Sequence, residues 1–264
     1  MMDTIAPSRI ETLFNFDAAA FRYEPFPIGV ARPVFSPEVY EELVENWPDR
    51  ELFAYMPTLG RKYSLSESNN GATYRQFVEQ TPIWKKLYQE IKSQEFVGAV
   101  IQLLNGQHIN LGIAEDVSVN PAPSRRRWFQ RTDLAHDLLN KNIRALKTRF
   151  EFSMMPADGG HIKPHTDNPD KIITLVASMV RPGEWDPAWG GGTTVLRAKD
   201  RRHSFNHMNR QLDFADADEL DVFEYEPNQC VLFIKTFNSL HAVSPLTGPA
   251  GALRKTLTIN IEVV

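Results

Sequence analysis

The chain has only one cysteine, Cys230, which excludes an internal disulfide and a cysteine-based zinc site. Cys230 sits in the apolar run Cys230-Val231-Leu232-Phe233-Ile234, where a buried structural thiol is expected rather than a reactive one. A reducing cytoplasm is the compartment that fits such cysteine usage. Long apolar runs are missing too: none approaches the roughly 18 residues that cross a bilayer. The opening residues Met1 to Pro7 lack the basic start and apolar core of a secretory signal. Excess charge is small, with a net charge of -4 and a pI near 6.0, which argues against general binding to nucleic acid or to an anionic membrane. No repeat, low-complexity tract or Pro/Ser-rich linker divides the chain. Residues 1–264 are therefore read as one domain, with 42% hydrophobic residues to build its core.

The first part, 1–146, reads as mainly helical. Phe26 to Pro33 is extended, and Ser36-Pro37-Glu38 supplies an N-cap followed by proline at the first helical position. Tyr40, Leu43, Val44 and Trp47 then recur at helical spacing until Pro48. A second amphipathic helix starts near Thr81-Pro82 and carries Trp84, Leu87, Ile91 and Phe96, continuing or restarting through Val100 to Leu104. Residues 105–124, rich in Asn, Gly, Pro and Ser, are expected to be irregular. Arg125-Arg126-Arg127, with Trp128 and Arg131, is read as a solvated helix entrance because Asp133 and Asp137 follow.

From about Lys147 the periodicity changes. Phe150 to Met154 alternates with period two, Ile172 to Val180 and Cys230 to Ile234 are short apolar runs, and the chain closes on Leu257 to Ile261. Turn signals separate these runs, among them Asp158-Gly159-Gly160, Arg181-Pro182-Gly183 and Glu226-Pro227-Asn228. Short strands bounded by turns predict an antiparallel sandwich or barrel over 147–264. The fold class is α+β. The acidic run from Asp213 to Glu226 lacks the punctuation of a calcium loop and is expected to be an exposed loop. Trp185 and Trp189 lie between strands, as a lid or, by preference, in an exposed proline-rich loop.

The informative stretch is His161-Ile162-Lys163-Pro164-His165-Thr166-Asp167. On extended backbone, residues two apart share a face, so His165 and Asp167 project together and Thr166 turns away. An imidazole and a carboxylate so placed are two ligands of a 2-His-1-carboxylate triad, the arrangement of non-haem Fe(II) oxygenases. His241, after the strand that begins at Cys230, is the third ligand such a site needs, although an isolated histidine there also reads as a core residue. His161 is a further candidate for the pocket lining. His108, His136, His203 and His207 read as surface or structural.

On the last strand Arg254, Thr256, Thr258 and Asn260 share one face, while Lys255, Leu257, Ile259, Ile261 and Val263 share the other. A polar face on a central strand needs partners, and a polar cavity supplies them. Arg254 offers a planar fork for a carboxylate, and Thr256 adds a hydroxyl on the same side. The competing reading pairs Arg254 with an internal Asp or Glu.

The run from Lys163 to Asp167, Trp189-Gly190-Gly191-Gly192-Thr193, and His-x-Val-x-Pro at 241–245 with Arg254 beyond together resemble the prolyl-4-hydroxylase-like branch of the 2-oxoglutarate-dependent, Fe(II) oxygenases. The opening Pro25-Phe26-Pro27 and the helix through Trp47 are similar as well. The resemblance implies a double-stranded β-helix (jelly-roll) core with flanking N-terminal helices. It also implies Fe(II) on His165, Asp167 and His241, and 2-oxoglutarate on Arg254 and Thr256. O2 would be consumed, succinate and CO2 released, and a substrate C–H hydroxylated. Asp167 favours hydroxylation over halogenation, since related halogenases replace that carboxylate. Two departures stand out: Met154-Met155 lies where many relatives place a tyrosine, and Arg254 stands where prolyl hydroxylases proper use lysine. A small-molecule substrate, such as a modified sugar or amino acid, is expected, with no nucleic acid or membrane partner; the oligomeric state is open. The alternatives are a cupin-like metal enzyme without 2-oxoglutarate and a non-catalytic jelly-roll binding module.

Overall fold

The computed structural model describes residues 12–122 and 143–264; the arginine-rich stretch at 125–131, Asp133, His136 and Asp137 lie outside them. The N-terminal part gives β1 (Ala20–Arg22), β2 (Ile28–Ala31), α1 (Pro37–Glu45), β3 (Ala54–Met56) and β4 (Lys62–Ser66). Three helices follow, α2 (Gly71–Gln80), α3 (Pro82–Ile91) and α4 (Gln94–Gly106), and then β5 (Ile113–Val119). The second part gives β6 (Ile143–Pro156), β7 (Ile162–His165), β8 (Lys171–Ser178) and β9 (Thr193–Ala198). It ends with β10 (Ala217–Phe223), β11 (Cys230–Ile234), β12 (His241–Val243) and β13 (Leu253–Val263).

The helix starts follow their caps. Ser36 accepts a hydrogen bond from the Val39 amide at 3.3 Å, and Ser93 accepts one from Phe96 at 3.1 Å. The break between α3 and α4 realises the expected restart. Tyr40, Leu43 and Val44 turn inward on α1, and the Tyr40 hydroxyl donates to the Val180 carbonyl at 2.7 Å, tying the helix to the end of β8.

The larger sheet runs β1-β2-β11-β8-β13-β6-β4-β3, with β5 pairing parallel to the first residues of β6. The smaller runs β10-β9-β12-β7. From β6 onward the chain crosses between the sheets at nearly every connection, going larger, smaller, larger, smaller, smaller, larger, smaller, larger. Two sheets wound in this way form a double-stranded β-helix, and the expected fold class is borne out. The outer face of the larger sheet is the main core. Phe152 on β6 meets the rings of Trp47, Tyr74, Phe77 and Trp84 there, with Leu257, Ile259 and Ile261 of β13 at 0% exposure.

Two expectations need correction. Residues 113–119, inside the stretch read as irregular, form β5: it takes the free edge at the start of the long β6, and an edge strand needs little apolar alternation. The acidic stretch is not a loop throughout, since Ala217–Phe223 is β10. It is the edge strand of the smaller sheet and half exposed, which is why it carries so much charge.

Candidate metal centre

His165 ends β7 and His241 begins β12, and the two stand directly opposite each other in the antiparallel ladder. Opposed residues share a face, so the rings come together, with centroids 4.4 Å apart. Asp167, two residues past His165, completes the group: one donor atom from each of the three lies within 4.8 Å of the others. The His165 Nδ1 is 2.9 Å from the Lys163 carbonyl, and the His241 Nδ1 is 2.9 Å from the Ser239 carbonyl. A carbonyl only accepts, so both Nδ1 atoms carry the proton and both Nε2 lone pairs are left for a cation. The Phe233 ring packs 4.4 Å from that of His241.

The electrostatics match this donor set. Burial, reinforced by the neighbouring His241, pushes the His165 imidazole down to about 3, and burial also lowers that of His241. Burial works against the charge of Asp167, but the Lys171 ammonium, the two imidazoles and the Thr174 hydroxyl outweigh it and hold the carboxyl below its usual range. Near neutral pH the site thus presents two neutral imidazoles and one carboxylate, which fits a divalent ion with open positions. Lys171 Nζ donates to Asp167 Oδ1 at 2.9 Å and Thr174 Oγ1 to Oδ2 at 2.6 Å, so the carboxylate is held from both sides. Thr166 does turn away: it takes a hydrogen bond from Lys235 Nζ at 2.9 Å.

Arg254 lies toward the other end of the space between the sheets. It is 4% exposed, its Nε donates to the Gly191 carbonyl at 2.6 Å, and its guanidinium sits 4.7 Å over the Tyr225 ring. Gly191 has φ +99°, and a Cβ there would come within 3.3 Å of both Arg254 Cδ and the Trp185 ring, so glycine is needed for this approach. Among the described residues no carboxylate pairs with Arg254, against the reading that gave it an internal Asp or Glu. Burial lowers its pKa to about 10, still well above neutrality. Thr256, on the same face, is 2% exposed. Val243, two residues after His241, joins Met155, Trp185 and Tyr225 in the apolar cluster around Arg254, so the triad and the guanidinium share one interior.

His165, Asp167 and His241 are thus brought together, and Arg254 and Thr256 stand on the same face of the larger sheet as Thr174, which bonds to Asp167. His161 stays apart, its ring against Phe214. Trp185 is not in an exposed loop: it is 7% exposed and packs edge-on to Trp189 and Tyr225, closing the Arg254 end. Met155 stands directly opposite Arg254 on β6, and the aromatic ring beside the guanidinium comes from Tyr225. Lys171, Thr174 and Tyr225 escape the sequence reading. The one available signal is Thr174, a hydroxyl interrupting the apolar run Ile172 to Val180.

Residues 150–262 match the family model of the 2OG-Fe(II) oxygenase superfamily. This bears out the resemblance drawn from the motifs, the enzyme class and the cofactors that go with it, Fe(II), 2-oxoglutarate and O2. No curated protein sequence matches the chain. Among solved structures, a Pseudomonas putida prolyl-4-hydroxylase is 13% identical, with 90% of this chain and 92% of that one covered at a TM-score of 0.45. A Trichoplax adhaerens prolyl hydroxylase is 12% identical, covering 89% and 83% at a TM-score of 0.47. HygX from Streptomyces hygroscopicus, with nickel and 2-oxoglutarate bound, is 11% identical, covering 94% and 84% at a TM-score of 0.43.

Proposed function

We propose, from the 2OG-Fe(II) oxygenase pattern carried by residues 150–262, that this chain hydroxylates a C–H bond of a small molecule at Fe(II) held by His165, Asp167 and His241. The observation that carries the reading is a buried guanidinium that has no counter-charge among the described residues, in the same interior as the triad. A charge so placed calls for an anion from outside the chain. The distal carboxylate of 2-oxoglutarate supplies one, with the planar fork of Arg254 as its seat and the Thr256 hydroxyl beside it.

When bound, iron with 2-oxoglutarate supplies the means to activate O2. The reaction balances as R–H, 2-oxoglutarate and O2 giving R–OH, succinate and CO2. The chain's own part is orientation and dryness. The Lys163 and Ser239 carbonyls fix the two imidazoles, Lys171 and Thr174 fix the carboxylate, and Phe233 shields one side of His241. Trp185, Tyr225 and Met155 close the far end against water.

The test is spectroscopic. Fe(II) and 2-oxoglutarate added without oxygen should give the weak visible metal-to-ligand charge-transfer band, and Asp167→Ala should abolish it. A spectrum that 2-oxoglutarate leaves unchanged overturns the proposal.

A further inference from the structure

Arg254 is a buried cation that has to stay free to meet an anion. A carboxylate from the chain would neutralise it and block the edge at which a ligand binds. Among the described residues none pairs with it, and its one hydrogen bond runs from Nε to the Gly191 carbonyl at 2.6 Å. The N–H groups on its two terminal nitrogens find no acceptor among those residues. Met155, the opposite residue on β6, offers no donor. What stands beside the charge is a ring: the guanidinium carbon lies 4.7 Å over the centroid of Tyr225.

The two kinds of contact act in different directions. A guanidinium donates hydrogen bonds in its own plane, whereas an aromatic ring attracts it face to face. Tyr225 therefore stabilises the charge without occupying a donor. The residue is buried, and such an attraction strengthens where water is excluded. Burial also pushes the Tyr225 phenol up, so the ring stays neutral. Its hydroxyl donates to the Lys255 carbonyl and accepts from the Lys255 amide at 3.0 Å. That amide belongs to the peptide joining Arg254 to Lys255, so the ring is registered to the backbone of the residue it faces. Tyr225 also meets Trp185 edge-on, with centroids 5.3 Å apart and planes at 78°. Trp185 Nε1 in turn donates to the Gly190 carbonyl at 2.8 Å, next to the carbonyl that takes Arg254 Nε. Ring, indole and loop carbonyl form one frame around the guanidinium.

We infer that Tyr225 is a positioning residue of the co-substrate site: its ring holds the face of the Arg254 guanidinium, so that the terminal nitrogens meet the distal carboxylate of 2-oxoglutarate edge-on. The inference rests on the oxygenase reading and deepens it at the Arg254 end. Tyr225 acts through the arginine. Its hydroxyl serves the strand, and only its ring serves the site.

The test measures binding, on the full chain loaded with Fe(II) and kept free of oxygen. Charge-transfer titrations compare 2-oxoglutarate with 2-oxopentanoate, which has the same keto-acid head and carbon chain but a methyl in place of the distal carboxylate. The ratio of the two affinities reports the guanidinium contact alone. Tyr225→Leu should lower that ratio about tenfold, with 2-oxopentanoate and Fe(II) binding unchanged. Tyr225→Phe keeps the ring, so its ratio should stay within about twofold while the urea midpoint falls with the lost hydroxyl bonds. Tyr225→pentafluorophenylalanine keeps the shape of phenylalanine and reverses the charge on the ring face. Its ratio should fall well below that of Tyr225→Phe, which tests the inference even if Tyr225→Leu fails to fold. A ratio that survives both changes, or that falls as far in Tyr225→Phe, overturns the inference and spares the oxygenase reading. So does a loss shared equally by the two keto acids, which marks a general collapse of the site. No band from the unaltered chain with either keto acid removes the oxygenase reading, and the inference falls with it.

Discussion

Both faces of β13 carry buried residues, and the two are built from opposite chemistry. Outward, Leu257, Ile259 and Ile261 are at 0% exposure against the helices and the aromatic cluster around Phe152. Inward, Arg254, Thr256, Asn260 and Glu262 are at 4%, 2%, 6% and 3%. Burying apolar surface stabilises the chain, whereas burying polar groups costs free energy unless they find partners. Those partners thin out along the strand. Glu262 has Arg149 at 2.5 Å and Lys147 at 3.2 Å, and Asn260 lies 3.3 Å from the Thr174 hydroxyl. Arg254 has five N–H donors and, among the described residues, one hydrogen-bond acceptor, a backbone carbonyl. The outer face holds the fold; on the inner face the hydrogen-bonding capacity of Arg254 is the part that the described residues leave least filled.

If so, substitutions on the two faces should separate stability from binding. The largest effect should come from Phe152→Ala on the outer side, where one ring supports five others. A loss of about 3–5 kcal/mol is expected, the usual range for a large aromatic truncated in a core. Urea denaturation reads it, and the molecules that remain folded should bind 2-oxoglutarate normally. A cost below about 1 kcal/mol would mean that the aromatic cluster does not anchor the helices.

On the inner side, Arg254→Met should do the reverse. Affinity for 2-oxoglutarate should fall about 100-fold, or about 2.7 kcal/mol, in an anaerobic titration of the charge-transfer band. Stability should hold or rise, because a buried charge without a counter-charge has been removed. An arginine that served only the fold would give the opposite pair of results.

Thr174→Val ranks next. Its hydroxyl is the donor to Asp167 Oδ2, at 2.6 Å, and partners of a ligating carboxylate typically carry tenfold or more in metal affinity. A tenfold weaker Fe(II) affinity is expected, with Lys171 still holding the other oxygen. Unchanged metal binding would leave Lys171 as the sole orienting group.

The same contrast explains what could be read from the residues alone. His165 and Asp167 were legible because period-two geometry puts them on one side of extended backbone. Arg254 and Thr256 were legible because β13 alternates cleanly. Lys171 and Thr174 were not, since they lie on another strand, one just before an apolar run and one inside it, and only the sheet order turns them toward Asp167. Tyr225 was hidden because β10, just before it, reads as a charged loop: its alternation is broken by the bulge and diluted by edge exposure. Trp185 was misread because the prolines, glycines and acids around it signal solvent, whereas its burial comes from Tyr225 and Trp189, distant or loop-borne partners.

The smallest effect, and the sharpest discrimination, belongs to Thr256→Val. Thr256 stands in a row of hydroxyls across four strands, opposite Ser153 on β6 and Ser178 on β8, with Ser64 beyond on β4. The Ser64 hydroxyl accepts from Asn69 at 2.9 Å, but those of Ser153, Thr256 and Ser178 make no side-chain hydrogen bond among the described residues. Valine keeps the shape of threonine and removes only its hydroxyl, a group worth about 1 kcal/mol when bonded. If the hydroxyl bonds to 2-oxoglutarate, the variant should lose about fivefold in 2-oxoglutarate affinity, keep its Fe(II) affinity, and unfold at the same urea concentration. If the hydroxyl serves its strand neighbours instead, the loss should appear in the urea midpoint and not in the titration. The two outcomes exclude each other, so this one atom decides whether the inner face continues as a ligand surface past Arg254 or ends there.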